Sequence, residues 1–558
     1  MKTINEVVSQ WMSNANVDEE TKDFIKNSSS KNIEDSFYKN LEFGTAGIRG
    51  KLGPGPNRMN LYTVSRVTRA IAKEIKANKQ EDKGVVIGRD SRAYSKEFSE
   101  LSANIFASEG IKVFLFDTVI PTPILAYSIL HLNTAFGIMI TASHNTKEYN
   151  GYKVYSSDGI QISKEVAKKI SKNSSEIEDF LDYKFPVNQC ITTLNKDHEV
   201  VKSYYKKAKE TIEEFSFEND EKHSISVVYT GLHGVGGEYI PEFLKENGYC
   251  NLHFVKEQMK PSTDFYTTPS PNPEDEEVFE YGKKLALTFN SDVILATDPD
   301  VDRLGVMIKH NGKYEYLDGN VIGTLLSTYI LLKLRTNSDF EGKSPLIIKT
   351  IVSNNLVEKE GKVYNADFKD VHVGFKNIYS QAMNEENFVF GYEESLGFGF
   401  GKKVSREKDA IIASVMVLNM ISYYNSIGYS LLDVYKEIQE AHGFTEEKME
   451  SILLEGLDGM NVMKEIILDL KNAPISSING FEISKSIDYN SDETGLEKEN
   501  VLKFMYEDGS WFAVRPSGTE PKLKIYFYSY GSTKEEAEKS LEILSEKVKN
   551  HIKCMAKN

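Results

Sequence analysis

Ser143 stands in ITASHNTKEYNGYKVY, residues Ile140 to Tyr155, at the point where an apolar run ends and a polar loop begins. The run Phe136 to Ile140 reads as a short buried strand, and α/β proteins bind ligands outside the carboxyl ends of such strands. His144, Asn145 and Lys153 follow, so a weak nucleophile has an imidazole, an amide and an ammonium near it in sequence. Taken alone, Ser143 proves little, because most serines in such loops are turn or cap residues. A second apolar run, Val293 to Ala296, leads into TDPDVDRLG, where Asp298, Asp300 and Asp302 alternate. That spacing can turn three carboxylates to one side as hard oxygen ligands for Mg²⁺. An EF-hand is excluded because Arg303 and Lys309 replace the glycine and the terminal acid it requires. A solvated acidic turn is the plainer alternative, yet three crowded carboxylates repel one another unless a cation joins them.

A third run ends in FVFGYEESLGFGFG, Phe388 to Gly401, with Glu393, Glu394 and Ser395 between glycines. Paired carboxylates serve glycosidases, but neighbours on a strand point to opposite faces. Binding of a polyol, one carboxylate accepting from two sugar hydroxyls, competes with a structural turn. In the fourth segment, AVRPSGTEPKLKIYF, Arg515, Ser517, Gly518, Thr519 and Lys522 sit in a tight turn between strand-like runs. Hydroxyls, a flexible backbone and a guanidinium fork suit a phosphate. A charged hairpin is the alternative.

Together the four segments resemble the α-D-phosphohexomutase family, the phosphoglucomutases and phosphomannomutases, from about Leu41 to the C-terminus, through TASHN, DPDVDR, GYEES and RPSGTEPK in the family's order. The resemblance implies a phosphoserine at Ser143 and one Mg²⁺ per chain, bound by Asp298, Asp300, Asp302 and the phosphoserine. It also implies sugar hydroxyls on Glu393 and Ser395, and the non-reacting phosphate on Arg515, Ser517, Gly518 and Thr519. FGTAGIRG, Phe43 to Gly50, resembles the family's N-terminal loop, which gives Arg49 the role of facing the reacting phosphate; a glycine turn is the alternative. Glucose 1,6-bisphosphate is the expected activator that primes the serine. Charge balance around a phosphoserine near −2 brings in Arg303 beside Arg49, and Lys376, Arg406, Lys408 and Lys522 lie in or near the same loops. A general base and acid are needed, and His144, Lys153 and Lys408 are candidates.

GYEESLG is closer to the glucomutase and phosphopentomutase side of the family than to bacterial enzymes that use mannose and glucose, whose loop has a histidine where Gly397 stands. Interconversion of glucose 1-phosphate and glucose 6-phosphate is therefore expected, with mannose and pentose phosphates as alternatives by the same mechanism. A Mg²⁺-dependent sugar phosphatase would use the same aspartates, and a non-catalytic relative would be expected to lack Ser143 or an aspartate.

The elements that must position these loops are α/β throughout. Strand-like runs at Val85 to Gly88, Val113 to Phe116, Ile225 to Tyr229 and Leu346 to Lys349 alternate with helical patterns at Ser65 to Ile75, Glu276 to Leu287 and Asp409 to Tyr424. Lys168 to Lys196 is the most loop-like stretch, anchored only by Phe180 to Phe185, and after Gly480 strands precede a charged helix, Thr533 to Ile552. The expected plan is three similar α/β domains plus a smaller C-terminal α+β domain around a central cleft, with boundaries near residues 1–205, 206–315, 316–450 and 451–558. YTGLHGVGGEY, Tyr229 to Tyr239, lacks the Walker lysine and, with Tyr239, the third glycine of GxGxxG, so it reads as a strand-to-helix turn, mainly structural. At 558 residues several domains are required. No apolar run approaches the roughly 20 residues of a membrane span, the start MKTINEVVSQ has no apolar signal segment, and Cys190, Cys250 and Cys554 lack metal spacing. A cytoplasmic enzyme is expected, and a net charge of −16 argues against nucleic acid as a partner. Its partners are expected to be small sugar phosphates; the sequence does not reveal the oligomeric state.

Overall fold

The computed structural model describes residues 3–187, 189–218, 224–337, 340, 342–454, 459–516 and 522–555. The chain forms two compact units, one of residues 1–322 and 375–428 and the other of residues 323–374 and 429–558.

The first unit carries two sheets of one plan. In the first sheet, β1 (Gly47–Lys51), β2 (Val85–Arg89), β3 (Val113–Phe116), β4 (Phe136–Ile140), β5 (Tyr149–Ser156) and β6 (Thr192–Leu194) take the order β1-β5-β4-β2-β3-β6. Strands β4, β2, β3 and β6 run parallel, while β5 returns antiparallel to β4 and β1 antiparallel to β5. In the second, β7 (Val227–Thr230), β8 (Leu252–Phe254), β9 (Val293–Thr297), β10 (Leu304–His310) and β11 (Lys313–Leu317) take the order β11-β10-β9-β7-β8. Here β9, β7 and β8 are parallel, and β10 returns antiparallel to β9. The hairpin of Phe388–Glu393 and Gly397–Phe400 repeats that last step. In all three places a fully buried strand delivers a polar loop and the chain turns straight back.

Continuous apolar runs become strands here because both faces are covered, and each buried Val, Ile or Leu contributes about 1.5–3 kcal/mol. Val64 and Ile71 of the helix Leu61–Ala77 and Phe98 and Phe106 of Ser95–Ser108 share a core with Ile87 and Ile138. The helix Ala410–Ser426 is buried along most of its length and begins at Asp409, whose carboxylate accepts from the Ile411 and Ile412 amides and from Tyr204 Oη.

One segment differs from the sequence expectation, and another carries helices that no motif marked. Part of the stretch expected as loop is the helix Lys164–Ser175, capped by Ser163. It buries only Ala167 and Ile170, too few for an apolar pattern to stand out among its lysines. Ahead of the first motif, the helices Ile4–Ser13, Glu19–Asn27 and Ser30–Phe37 are capped by Thr3, Asp18 and Ser29. Trp11 joins them to Phe37, Tyr62 and Phe180 edge-on, so the Phe180 to Phe185 anchors dock on this N-terminal cluster.

In the second unit, Leu346–Thr350 and Asp367–Val371 pair in parallel. A six-stranded antiparallel sheet runs in the order Phe444–Leu453, Lys522–Gly531, Trp511–Pro516, Leu502–Tyr506, Phe481–Asp488, Ser477–Ile478. The helix Lys534–Met555 packs against it. Among the described residues no single helix is long and apolar enough to cross a membrane.

Candidate active site

Ser143 lies three residues beyond β4 in left-handed backbone, φ 52°, and is 4% exposed. Its amide donates to Thr141 Oγ1 at 2.9 Å, its hydroxyl donates to Asp298 Oδ2 at 2.8 Å, and His144 Nδ1 lies 3.3 Å from Oγ. Arg92 holds this loop through its main chain. The guanidinium donates to the carbonyls of Ser143, Asn145, Thr146 and Tyr149, the last two at 2.9 and 3.2 Å. Arg92 is fixed in turn by Asp90 at 3.2 Å, with both side chains fully buried, and by the Phe265 ring, 5.0 Å from Cζ. Asp90 accepts from Ser95 Oγ and the Arg92 amide, which closes the network. Sequence reasoning missed Arg92; the available signal was a charged Asp-x-Arg at the carboxyl end of the strand neighbouring β4. Arg92→Met leaves Asp90 buried and unpaired, at a cost of about 3–5 kcal/mol. Calorimetry is expected to show Tm lower by about 5 °C, at about 1.3 °C per kcal/mol for a unit of this size, and turnover is expected to fall about a hundredfold as the serine loop loosens.

The aspartate loop is a tight turn. Asp298 Oδ1 accepts from the Asp302 and Arg303 amides, both at 3.1 Å, and Val301 between them has φ 61°. A buried β-branched residue in left-handed backbone is strained, and the strain sits where three carboxylates converge. Asp300 Oδ2 accepts from Thr122 Oγ1 at 2.8 Å and from Lys153 Nζ at 2.7 Å. Asp302 Oδ2 accepts from Lys153 Nζ at 3.3 Å and lies 3.2 Å from Lys408 Nζ. One oxygen from each aspartate falls within 4.8 Å of the others. Asp300 Oδ1 and Asp302 Oδ1 are buried with no hydrogen-bond partner. Two orphaned carboxylate oxygens in a cluster of three buried aspartates fit a hard divalent cation. Burial and the Asp302 and Asp300 charges push the Asp298 carboxyl well up, a repulsion that such a cation relieves. Burial also raises Asp302, but Lys408 and Lys153 outweigh it and hold that carboxylate below its ordinary range.

The third loop joins the second directly. The Leu304 amide donates to the Leu396 carbonyl at 3.2 Å, and Arg303 forms a bridge with Gly397. Glu393 is buried and Ser395 half-buried at the hairpin. Gly397 has no side chain because Lys408 occupies the space: an added Cβ would lie 2.3 Å from Lys408 Cδ and 3.2 Å from Glu393 Oε2. Lys408 also approaches Glu407 at 3.7 Å, and Glu407 accepts from Tyr155 Oη and Gln161 Nε2.

Around these loops the first unit gathers the cations expected from sequence. Arg49 Nη1 donates to Asn145 Oδ1 at 3.0 Å, Arg303 pairs with Glu274, and Lys376 Nζ donates to the Thr45 carbonyl at 3.2 Å. Burial and the Arg303 and Arg49 charges push the His144 imidazole well below its ordinary value. Lys153 and Lys408 are both raised, since Asp302 and its neighbours outweigh the burial that lowers them. Arg515 belongs to the second unit, where its Nε and Nη2 reach Glu499 Oε1 at 3.2 and 3.1 Å. Ser517, Gly518 and Thr519 lie outside the described residues. Arg406 Nη1 donates to the Asp158 carbonyl at 2.8 Å.

Residues 40–180, 202–312 and 318–441 match the descriptions "Phosphoglucomutase/phosphomannomutase, alpha/beta/alpha domain" I, II and III, and residues 472–544 match the C-terminal domain of the same family. A protein of Staphylococcus aureus (strain MRSA252) named phosphoglucomutase is 34% identical over 533 residues, covering 92% of this chain and 94% of its own. Among solved structures, the open form of the Paramecium phosphoprotein pp63/parafusin, a phosphoglucomutase, shares the fold with a TM-score of 0.69 at 18% identity, covering 93% of this chain and 96% of its own. The N-acetylphosphoglucosamine mutase of Aspergillus fumigatus, solved in complex with GlcNAc-6P and magnesium, gives 0.53 at 13% identity with full coverage of both chains.

Proposed function

The chain belongs to the phosphoglucomutase/phosphomannomutase family, and from that premise we propose that it interconverts glucose 1-phosphate and glucose 6-phosphate through a phosphoserine at Ser143 and a glucose 1,6-bisphosphate intermediate. The observation that carries this reading is the 2.8 Å approach of Ser143 Oγ to Asp298, one of three buried aspartates of which two keep an orphaned oxygen. Asp298, Asp300, Asp302 and the phosphorylated Ser143 would hold Mg²⁺, which would supply Lewis-acid polarisation of the phosphoryl oxygens.

The residues of the chain do the rest. Arg49 and Arg303 offset the charge of the reacting phosphate, and Glu393 and Ser395 take sugar hydroxyls, with Lys376 at the edge of the same site. The hydroxyl of glucose 1-phosphate attacks phosphorus, the bond from phosphorus to Ser143 Oγ breaks, and the hydroxyl proton passes to a base among His144, Lys153 and Lys408. The bisphosphate then turns end for end, and its other phosphoryl group returns to Ser143 as the proton is given back. Of the domains assigned from sequence, 1–205 carries the Ser143 and Arg49 loops, 206–315 the aspartate loop, 316–450 the sugar loop and 451–558 the phosphate loop. Residues 515–519 of the last hold the phosphate that is not reacting, with Arg515 as the fork. Three exposed, unpaired cysteines are in keeping with a cytoplasmic enzyme.

Two experiments follow. Incubation with glucose 1,6-bisphosphate and Mg²⁺, followed by peptide mass analysis, is expected to place one phosphoryl group on the peptide that contains Ser143, and an unmodified peptide would remove the covalent step. Arg515→Ala is expected to raise KM about tenfold to a hundredfold, the loss of a charge-assisted bidentate contact, while Ser143 still takes phosphate. An unchanged KM takes Arg515 out of the site.

A further inference from the structure

The turn Gly231 to Val235 follows β7 and precedes the helix Gly236–Glu246, as its sequence indicated, but it does more than reverse the chain. It touches the aspartate loop directly and, through Ser91, the segment that holds the serine loop. On the aspartate loop, the Val235 amide donates to the Pro299 carbonyl at 2.9 Å. Gly234 lies so close that an added Cβ would stand 2.3 Å from Pro299 Cα and 2.7 Å from its carbonyl oxygen. Towards the serine loop, the His233 carbonyl accepts from Ser91 Oγ at 3.1 Å. Ser91 lies between Asp90 and Arg92, the pair that holds the Ser143 main chain.

The turn itself is buried and held by its own hydrogen bonds. Leu232 and His233 both take left-handed backbone, φ 44° and 62°, and both are fully buried. The His233 amide donates to the Gln258 carbonyl at 2.9 Å, and its Nε2 lies 2.8 Å from Thr267 Oγ1. A buried turn tied at both ends to loops from different sheets transmits position, because close-packed backbone cannot yield by an ångström without moving its neighbours.

We propose that this turn is the spacer that sets the separation of Ser143 from the aspartate triad, with Gly234 as the positioning residue for the aspartate loop and Ser91 as that for the serine loop. The inference rests on the reading of Ser143 as the phosphoryl carrier and of the triad as the Mg²⁺ site. Gly234→Ala forces Pro299 away and displaces Asp298 and Asp300 on either side of it. Ser91→Ala cuts only the tie to the serine loop.

The test uses the full chain and two readouts, Mg²⁺ affinity by titration calorimetry and kcat with glucose 1-phosphate, with circular dichroism and Tm as checks of folding. Gly234→Ala is expected to weaken Mg²⁺ binding at least tenfold and to lower kcat about a hundredfold. Ser91→Ala is expected to keep the wild-type Mg²⁺ affinity and Tm and to lower kcat about tenfold, a split that a merely structural role does not produce. A folded Gly234→Ala protein with wild-type Mg²⁺ affinity overturns the proposal, as does a Ser91→Ala protein with wild-type kcat. If Gly234→Ala does not fold, Ser91→Ala alone decides. Failure of the functional reading is distinguishable, since it shows in the wild-type protein as no glucose 6-phosphate formed.

Discussion

Ser143→Ala is expected to lower turnover of glucose 1-phosphate by at least about four orders of magnitude, because removing the nucleophile of a covalent route leaves only binding and electrostatic terms. The fold should survive. Ser143 is buried, but its left-handed conformation is held by Arg92 through the main chain and by its own amide on Thr141, and neither contact needs the hydroxyl. The substitution removes the hydrogen bond to Asp298 Oδ2 and the 3.3 Å contact with His144 Nδ1, and leaves the aspartate triad in place. Binding of glucose 1-phosphate by the variant, measured by calorimetry, should therefore stay within a few-fold of wild type while kcat disappears. Wild-type turnover by Ser143→Ala would make the covalent scheme wrong, and loss of binding along with turnover would mean that the serine serves the loop rather than the reaction.

Asp300→Asn is expected to cost about two to three orders of magnitude in kcat at low Mg²⁺, the range typical of losing one strong electrostatic stabiliser. Asp300 suits the test because its two oxygens have separate tasks. Oδ2 accepts from Thr122 and Lys153, whereas Oδ1 is buried and unpartnered. Asparagine keeps the shape and one acceptor but removes the charge that draws a cation to the triad, so raising Mg²⁺ should restore part of the rate. Chelation should abolish the wild-type rate and readdition of Mg²⁺ should return it. A variant as active as wild type at low Mg²⁺ would exclude Asp300 from the metal site.

The loops were legible because each follows a run with no polar interruption. Phe136–Ile140, Val293–Thr297 and Phe388–Glu393 are buried at every position, so the first polar residue after each run marks a strand's carboxyl end. Side-chain type then named the chemistry, and Ser143, the triad, Lys153 and Lys408 do come together. The devices that hold them there were hidden for a physical reason. Arg92 acts on four main-chain carbonyls, and main chain has no residue signature. Thr122 and the spacer turn likewise work through backbone contacts to Asp300 and Pro299 that only the folded sheets create. The N-terminal helices gave no motif, since their role is to bury Trp11 and Phe37. Gly397 was visible as a missing side chain, but that Lys408 fills its place needed the structure.

The most direct measurement is a coupled assay of the purified chain with Mg²⁺ and a trace of glucose 1,6-bisphosphate, with glucose 1-phosphate, mannose 1-phosphate and ribose 1-phosphate compared at equal concentration and inorganic phosphate followed in parallel. The expected result is a dominant rate from glucose 1-phosphate to glucose 6-phosphate with no matching release of phosphate. A dominant mannose or ribose rate would contradict the substrate, and release of phosphate without isomerisation would contradict the mutase itself.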